Sequence, residues 1–350
     1  LKREQIRKAT LLNKHTAVTN WWVIFLNTYH VLLLVYWLLR VIFQGAFWWL
    51  ALLDTFALFW LLPLAITLPT ASILRSWRTV GFASVLLLVG GIWFAPPIRQ
   101  APGISGETLR VVTYNTLYNN PQLEDDMRYL LTLSADVIVL QEIVRPGYDE
   151  RLAPLLRYYP HEAKIENGIR IYSRYPYQDV GTLRLEGDVD EGIRRDALRV
   201  VVDYNGQSVA VYGVHLSLPV GEQHRVSLRS THPLAAIAQM YDERRRNAQI
   251  GALAQYVERE TLPTIVGGDF NLSHTSIAHN VLERVGLRDA HLTAGQGYGM
   301  TWMAPPVPLP PMIRIDYIWY SRASLRAVQT QRGAQLGSDH RPVIADFEVR

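Results

Sequence analysis

Between Thr16 and Ala95 only Arg40, Asp54, Arg75 and Arg78 are charged. A helix that crosses a bilayer takes ~20 mostly apolar residues, and this stretch divides into three such segments. They lie near residues 21–39, 46–68 and 79–95, the last being short. Trp21, Trp22, Trp48 and Trp49 sit at segment ends, where indole rings favour the headgroup region. The competing readings are a helical bundle buried in a soluble protein and a cleaved signal peptide. Against the second, no small-residue cleavage site follows the first segment, and two more segments do. The expectation is an all-α transmembrane region of three helices within residues 1–100.

Charge divides the chain at the same place. Residues 1–100 hold nine Lys/Arg and two acids, a net of +7, so the remaining 250 of the 350 residues, with an overall +4, carry −3. The larger part therefore shows no basic face built for a nucleic-acid backbone. The basic N-terminal arm (Lys2, Arg3, Arg7, Lys8, Lys14) and the Arg75–Arg78 loop flank the spans on one side, against Arg40 alone on the other. The positive-inside tendency puts that side in the cytoplasm. Three crossings then place residues 101–350 outside it, at a multi-pass cell membrane. Asp54 within the second span is either a functional intramembrane acid or the partner of Arg40. With no cysteine, disulfides, zinc–thiolate sites and a cysteine nucleophile are excluded.

From Leu109 onward, short apolar runs alternate with amphipathic stretches. Leu109–Tyr114 and Asp136–Leu140 read as buried strands, with a helix over Gln122–Leu133 between them. Ala197–Tyr204 and Gln207–Val214 flank Asn205-Gly206, a strong hairpin signal. Leu234–Glu260 reads as mostly helical with Ile237, Ile250, Leu253 and Val257 inward. Thr264–Val266, Ile313–Tyr320 and Val343–Val349 complete the strands. The pattern argues for a mixed α/β sandwich.

Polar residues follow these strands at the ends where α/β folds place chemistry. They are Asn115, Gln141-Glu142, His215, Gly268-Asp269-Phe270-Asn271, Arg314-Ile315-Asp316 and Ser338-Asp339-His340-Arg341-Pro342. Taken singly, each has an ordinary reading as a turn, a cap, a structural histidine or an ion-pair partner. Six in succession at strand ends are hard to read as turns alone.

This ordered set resembles the endonuclease/exonuclease/phosphatase superfamily over roughly residues 107–350, and Gly168–Pro176 also looks like a recurring family segment. The resemblance implies two mixed β-sheets packed as a sandwich flanked by helices, and hydrolysis of phosphoric esters with a divalent cation. Mg²⁺ suits hard oxygen ligands, with Mn²⁺ as a substitute. It further implies Glu142 as the principal metal carboxylate, helped by Asn115 and Asp339. Asp269 would align and deprotonate water, and Asn271 would fix the phosphate or that water. His340, oriented by Asp316, would contact phosphoryl oxygens, and His215 would offer a second phosphate or leaving-group contact as a neutral or charged proton donor. One departure stands out: where some nuclease members carry an acid, this chain has Leu117.

Arg174, Arg194, Arg195 and Arg199 are further candidates for binding phosphate, and Arg244-Arg245-Arg246 reads as a solvated helix start facing headgroups. The loop Met300–Met312, uncharged and containing Trp302, Val307 and Leu309, reads either as a packed segment or as a shallow membrane insertion. The leading expectation is a membrane-anchored phosphohydrolase acting on a phosphorylated lipid or headgroup. A membrane-anchored nuclease and a catalytically silent membrane adaptor are the alternatives.

Overall fold

The computed structural model describes residues 2–98, 106–185, 195–220, 241–303 and 312–350, with side chains from Asn20 onward. Contacts divide the chain into two compact units, Leu1–Ala95 and Pro96–Arg350.

In the first unit an apolar sequence without a polar face makes helices that are apolar all round. Helix α1 spans Lys2–Phe43, and its segment Asn20–Phe43 is long and apolar enough to cross a membrane. The second expected span is broken: α2 (Trp48–Thr55) gives way to a 3₁₀ turn at Ala57–Leu61 and then α3 (Leu64–Ile73), with a bend of 74°. Pro63 has no N–H for the Phe59 carbonyl and its ring crowds that oxygen. The Leu62 amide takes the carbonyl instead at 3.2 Å, tightening the turn before the proline. The third expected span is α4 (Trp77–Trp93), 17 residues long. At 1.5 Å per residue it falls short of a ~30 Å hydrocarbon layer. By length and composition the described helices thus offer one membrane crossing, or two if the bent pair forms one span. Asp54 is buried, with Arg40 at 2.7 Å and the Tyr36 hydroxyl donating at 2.8 Å. It is the ion-pair partner of Arg40.

The second unit is a sandwich of two six-stranded mixed sheets. One sheet has β1 (Leu109–Asn115) at its centre, parallel to β2 (Val137–Gln141) and antiparallel to β12 (Val343–Val349). Its edges are β11 (Leu325–Arg332) on one side, and β4 (Arg170–Ser173) with β3 (His161–Lys164) on the other. The other sheet runs β5 (Tyr177–Leu183), β6 (Ala197–Tyr204), β7 (Gln207–His215), β8 (Thr264–Asp269), β10 (Asp316–Ser321), β9 (Leu287–Asp289). Asn205 and Gly206, both at positive φ, close the β6–β7 hairpin where the sequence signals it.

Strand alternation fills the space between the sheets: Val111, Val139 and Ile171 meet Val200, Val211, Ile265 and Ile318. On the outer face of the first sheet, α5 (Leu123–Thr132) lays Met127 and Leu130 over Ile138 and Leu140, beside the short α6 (Tyr148–Leu152). On the outer face of the second, α7 (Arg244–Arg259) contributes Ile250, Leu253 and Val257, with α8 (Asn280–Arg284) alongside. A short helix α9 (Ala290–Ala294) follows β9 directly. Helix α7 begins at Arg244, so Tyr241–Glu243 are not helical; Ile237 lies outside the described residues.

Register decides where chemistry gathers. Asn115 pairs with Gln141 at the C-terminal ends of parallel β1 and β2, and His215 with Asp269 at those of parallel β7 and β8. Asp316 begins β10 opposite Asp269, because that pair is antiparallel. Val343 begins β12 opposite Thr113, bringing Ser338–His340 to the same end. Gly268 permits part of this convergence: a Cβ there would lie 2.0 Å from the Val214 carbonyl oxygen.

Candidate active site

The eight residues that the resemblance singles out gather at that end of the sandwich, and of the four arginines read as phosphate candidates Arg195 joins them through His215. Asn115, buried at the tip of β1, donates from Nδ2 to Glu142 Oε1 at 3.0 Å and to Asp269 Oδ2 at 2.9 Å. It thereby links the two sheets' carboxylates. Glu142 follows β2 at φ 66°, a conformation rare for a residue with a side chain. Its Oε2 accepts the Tyr118 amide at 2.7 Å. Leu117 (φ 63°) and Asn271 (φ 49°) share the positive-φ conformation, so backbone strain concentrates here as it does at functional sites. Leu117 contributes its amide to Asn115 Oδ1 at 3.1 Å and no acidic group.

Asp269 is buried, and its Oδ1 accepts the Asn271 amide at 2.9 Å. Burial, helped by the charge of Asp316 and opposed by that of His340, raises its pKa to about 7. Asn271 spends its side-chain amide on the Leu216 carbonyl at 2.9 Å. His340 shares its Nδ1 proton with Asp316, at 2.9 Å from one oxygen and 3.1 Å from the other. Burial disfavours the imidazolium, but Asp316 and Asp269 outweigh it and raise the pKa to about 10. His340 is therefore a cation whose Nε2 lies 3.8 Å from Asp269 Oδ2 and 4.0 Å from Asp339 Oδ1.

His215 behaves oppositely. Burial first, then the charges of Arg195 and His340, hold its pKa well below the ordinary imidazole value. Arg195 Nη1 lies 2.9 Å from its Nδ1. A guanidinium only donates, so Nδ1 accepts and the proton sits on Nε2. That N–H is 3.6 Å from Asp269 Oδ2 and 3.8 Å from Glu142 Oε1. The sequence left its charge open; the structure makes His215 neutral.

The chemistry of the donor set fits a hard divalent cation. Glu142, Asp269, Asp316 and Asp339 bring four carboxylates to one place, against the His340 imidazolium and the Arg195 guanidinium behind His215. The tightest group of ligand-type atoms is Asp269, Asp316 and His340. Both Asp316 oxygens, however, serve His340, and Asp316 is fully buried. The carboxylates that reach the open side are Glu142 and Asp339, whose side chains are 22% and 17% exposed. Burial raises the Asp339 pKa, and the nearby charge of Glu142 adds to it.

Several positions were missed or misread. Trp302 donates from Nε1 to Asp339 Oδ2 at 3.1 Å, so the indole holds a carboxylate of the site. Residues 304–311 of its loop, with Val307 and Leu309, lie outside the described residues. Ser338 ties the His340 amide (3.0 Å) to the Asn115 carbonyl (2.8 Å). Arg246 is not solvated: it is buried, reaches the Asn271 carbonyl at 2.7 Å and pairs with Glu243 at 2.5 Å. Its spacing from Ile250, Leu253 and Val257 is that of one helical face, the signal that could have found it. Arg174 is a correction in the other direction. It follows β4, whose Ser173 pairs with Val137 at the start of β2, the far end from Glu142, and faces Asp136 at 3.7 Å. Arg199 is held by Glu260 at 2.7 Å and Asp179 at 2.6 Å, and Arg194 lies outside the described residues.

Fold and site together define a metal-dependent hydrolase of phosphoric esters built on an α/β sandwich. A family model described as the Endonuclease/Exonuclease/phosphatase family matches residues 112–340, and the chain belongs to that family. No curated protein matches the sequence. Solved structures share the fold at low identity. An endonuclease/exonuclease/phosphatase from Bacteroides vulgatus is 18% identical with TM-score 0.56, covering 70% of this chain and 100% of that one. Sphingomyelinase C from Streptomyces griseocarneus is 19% identical with TM-score 0.51, covering 69% and 99%. The human Nocturnin catalytic domain, solved with a bound sulfate anion, is 19% identical with TM-score 0.51, covering 69% and 95%.

Proposed function

We propose that the chain is a membrane-embedded, Mg²⁺-dependent phosphohydrolase acting on a phosphorylated lipid or its headgroup, with its catalytic unit outside the cytoplasm. One observation carries this reading: the chain that bears the phosphoester site also bears helices whose outward surface is apolar. Trp21, Phe25, Leu32 and Ile42 on α1, Ile66 and Ile73 on α3, and Leu88 and Ile92 on α4 are all exposed. Exposed apolar area on this scale marks a membrane or partner surface. The likeness in fold to a sphingomyelinase supports a lipid ester, and the net −3 of residues 101–350 weighs against a nucleic acid.

Each residue then has a task. Glu142 and Asp339, with Asn115 beside them, would hold Mg²⁺, for which oxygen ligands and retained waters are the normal environment. The ion, when bound, polarises the phosphoryl group and lowers the charge barrier to an attacking water. Asp269, aligned by Asn115 and the Asn271 amide, takes a proton from that water. Cationic His340, oriented by Asp316, meets the charge that grows on phosphoryl oxygens. Neutral His215 donates its Nε2–H to an oxygen of the same group, with Arg195 fixing the tautomer. Asn271 orients through its backbone.

Two experiments test the reading. The detergent-purified chain with Mg²⁺ is expected to hydrolyse a lipid phosphate or phosphodiester well ahead of single- or double-stranded DNA. Faster cleavage of DNA would make the chain an anchored nuclease. Separately, α1, the bent α2–α3 pair and α4 are proposed to cross as three spans, the last one short. A reporter joined after Arg350 is then expected to read out on the extracytoplasmic side. A cytoplasmic readout would mean that α4 does not cross.

A further inference from the structure

A cleft of about 720 Å³ opens beside the site, walled by the Ile143–Gly147 loop and the Lys164–Asn167 turn. Two of its lining residues are chain neighbours of residues of the site. Ile143 directly follows Glu142, and Asp196 directly follows Arg195, the partner of His215. Asn167 Nδ2 donates to the Asp196 carbonyl at 2.7 Å, and the Ile143 amide to the Gly168 carbonyl at 3.0 Å, stitching the walls together. Gly168 (φ 86°) allows this closeness, since a Cβ there would meet Val144 at 2.5 Å and the Ile143 nitrogen at 3.0 Å.

The lining mixes apolar side chains (Ile143, Val144, Ile165) with charges that balance: Arg145, Lys164 and Arg170 against Asp149, Glu166 and Asp196. Part of it is already committed, because Arg170 pairs with Asp149 and Glu162, and Lys164 lies 3.4 Å from Asp149. Arg145 and Glu166 are exposed, and the Arg145 guanidinium stands 5.2 Å over the Tyr118 ring. Asn167 Oδ1 is a buried acceptor without a hydrogen-bond partner. A donor fork and a carboxylate side by side suit vicinal hydroxyls, which need donors and acceptors together. A polyanion would find no net positive charge here. A quaternary ammonium would find no aromatic cage, as none of the described lining residues is aromatic.

We propose that this cleft binds the alcohol portion of the substrate, and that this portion is a small, neutral, hydroxyl-rich polyol recognised by Arg145 and Glu166. The inference rests on the phosphohydrolase reading above and narrows it to one substrate class. The test compares diacyl phospholipids that differ only in headgroup (glycerol, ethanolamine, choline) in mixed micelles with Mg²⁺. Bis(p-nitrophenyl) phosphate serves as a reporter of the reacting centre alone. The glycerol headgroup is expected to give the highest kcat/KM, and Glu166→Ala and Arg145→Ala each to lower the glycerol-lipid to reporter ratio about tenfold, the worth of ~1.4 kcal/mol. Both side chains are exposed, so folding is not at stake. Preference for choline or ethanolamine, or ratios unchanged in both variants, would overturn the polyol assignment while reporter hydrolysis leaves the phosphohydrolase reading standing. A wild-type chain that fails on the reporter as well would remove both.

Discussion

Replacing Asp269 by Asn is expected to lower kcat on any phosphate ester by roughly 10²–10⁴-fold, the usual contribution of a positioned general base. The amide keeps the shape and can still accept the Asn271 amide through its oxygen, but its NH2 then faces the Asn115 Nδ2 donor, so one hydrogen bond is lost together with the basicity. Removing the buried carboxylate relieves its desolvation but gives up the Asn115 hydrogen bond and the attraction to His340, so urea denaturation of the variant is run beside the kinetics to separate lost activity from lost folding. His340→Ala is expected to lose ~10²–10³-fold, as when one preorganised contact to developing charge is removed. Because Asp269, His340 and Asp316 act as one unit, the double variant should be little worse than the poorer single one. Near-parental rates in both single variants, measured by phosphate release under saturating substrate, would mean that the reaction occurs elsewhere.

The largest expected loss of stability lies away from the site. Asp289, at the end of β9, is buried and accepts from Arg314 Nη1 at 2.5 Å and from the His291 amide at 2.8 Å, with His279 Nε2 at 3.2 Å. Burial alone would raise its pKa, but Arg314 and His279 more than reverse this and hold the carboxyl well below its usual range. Arg314→Met is expected to cost about 3–5 kcal/mol, because the carboxylate stays buried without its cation. In an Asp289→Asn background the same change should cost much less. The sign of the pH effect follows from the depressed folded pKa. The contribution is fully present above the unfolded value of ~3.9 and is lost as pH falls through the folded one. A loss under ~1 kcal/mol for Arg314→Met by urea denaturation at neutral pH would contradict this, since only surface pairs are worth so little.

That network shows what could be read from the sequence and what could not. Glu142, Asp269, Asp316 and His340 are legible because each follows or begins an apolar strand, and parallel or antiparallel register carries strand ends to one edge. Helix α5 and the β6–β7 hairpin are legible because amphipathic spacing and Asn-Gly act locally. The edge strands are not: β5 exposes most of its residues, and β11 is polar and interrupted by a bulge, so neither carries a clear period. Nor are Trp302, Arg246 and Arg314, whose partners are side chains or carbonyls distant in sequence. The break in the second apolar segment was marked by Pro63, yet hydropathy alone treats that segment as continuous.

The most direct measurement is a Mg²⁺ titration of the chain stripped of metal by a chelator, in detergent, following bis(p-nitrophenyl) phosphate hydrolysis in parent and Glu142→Gln. The parent is expected to be inactive without metal and to recover along a saturable curve. Glu142→Gln, which keeps the side chain's length but loses its charge, is expected to need about tenfold or more Mg²⁺ for half recovery, a difference of ~1.4 kcal/mol or greater. Hydrolysis that persists in excess chelator, or identical Mg²⁺ midpoints in the two proteins, would contradict a metal-dependent site centred on Glu142.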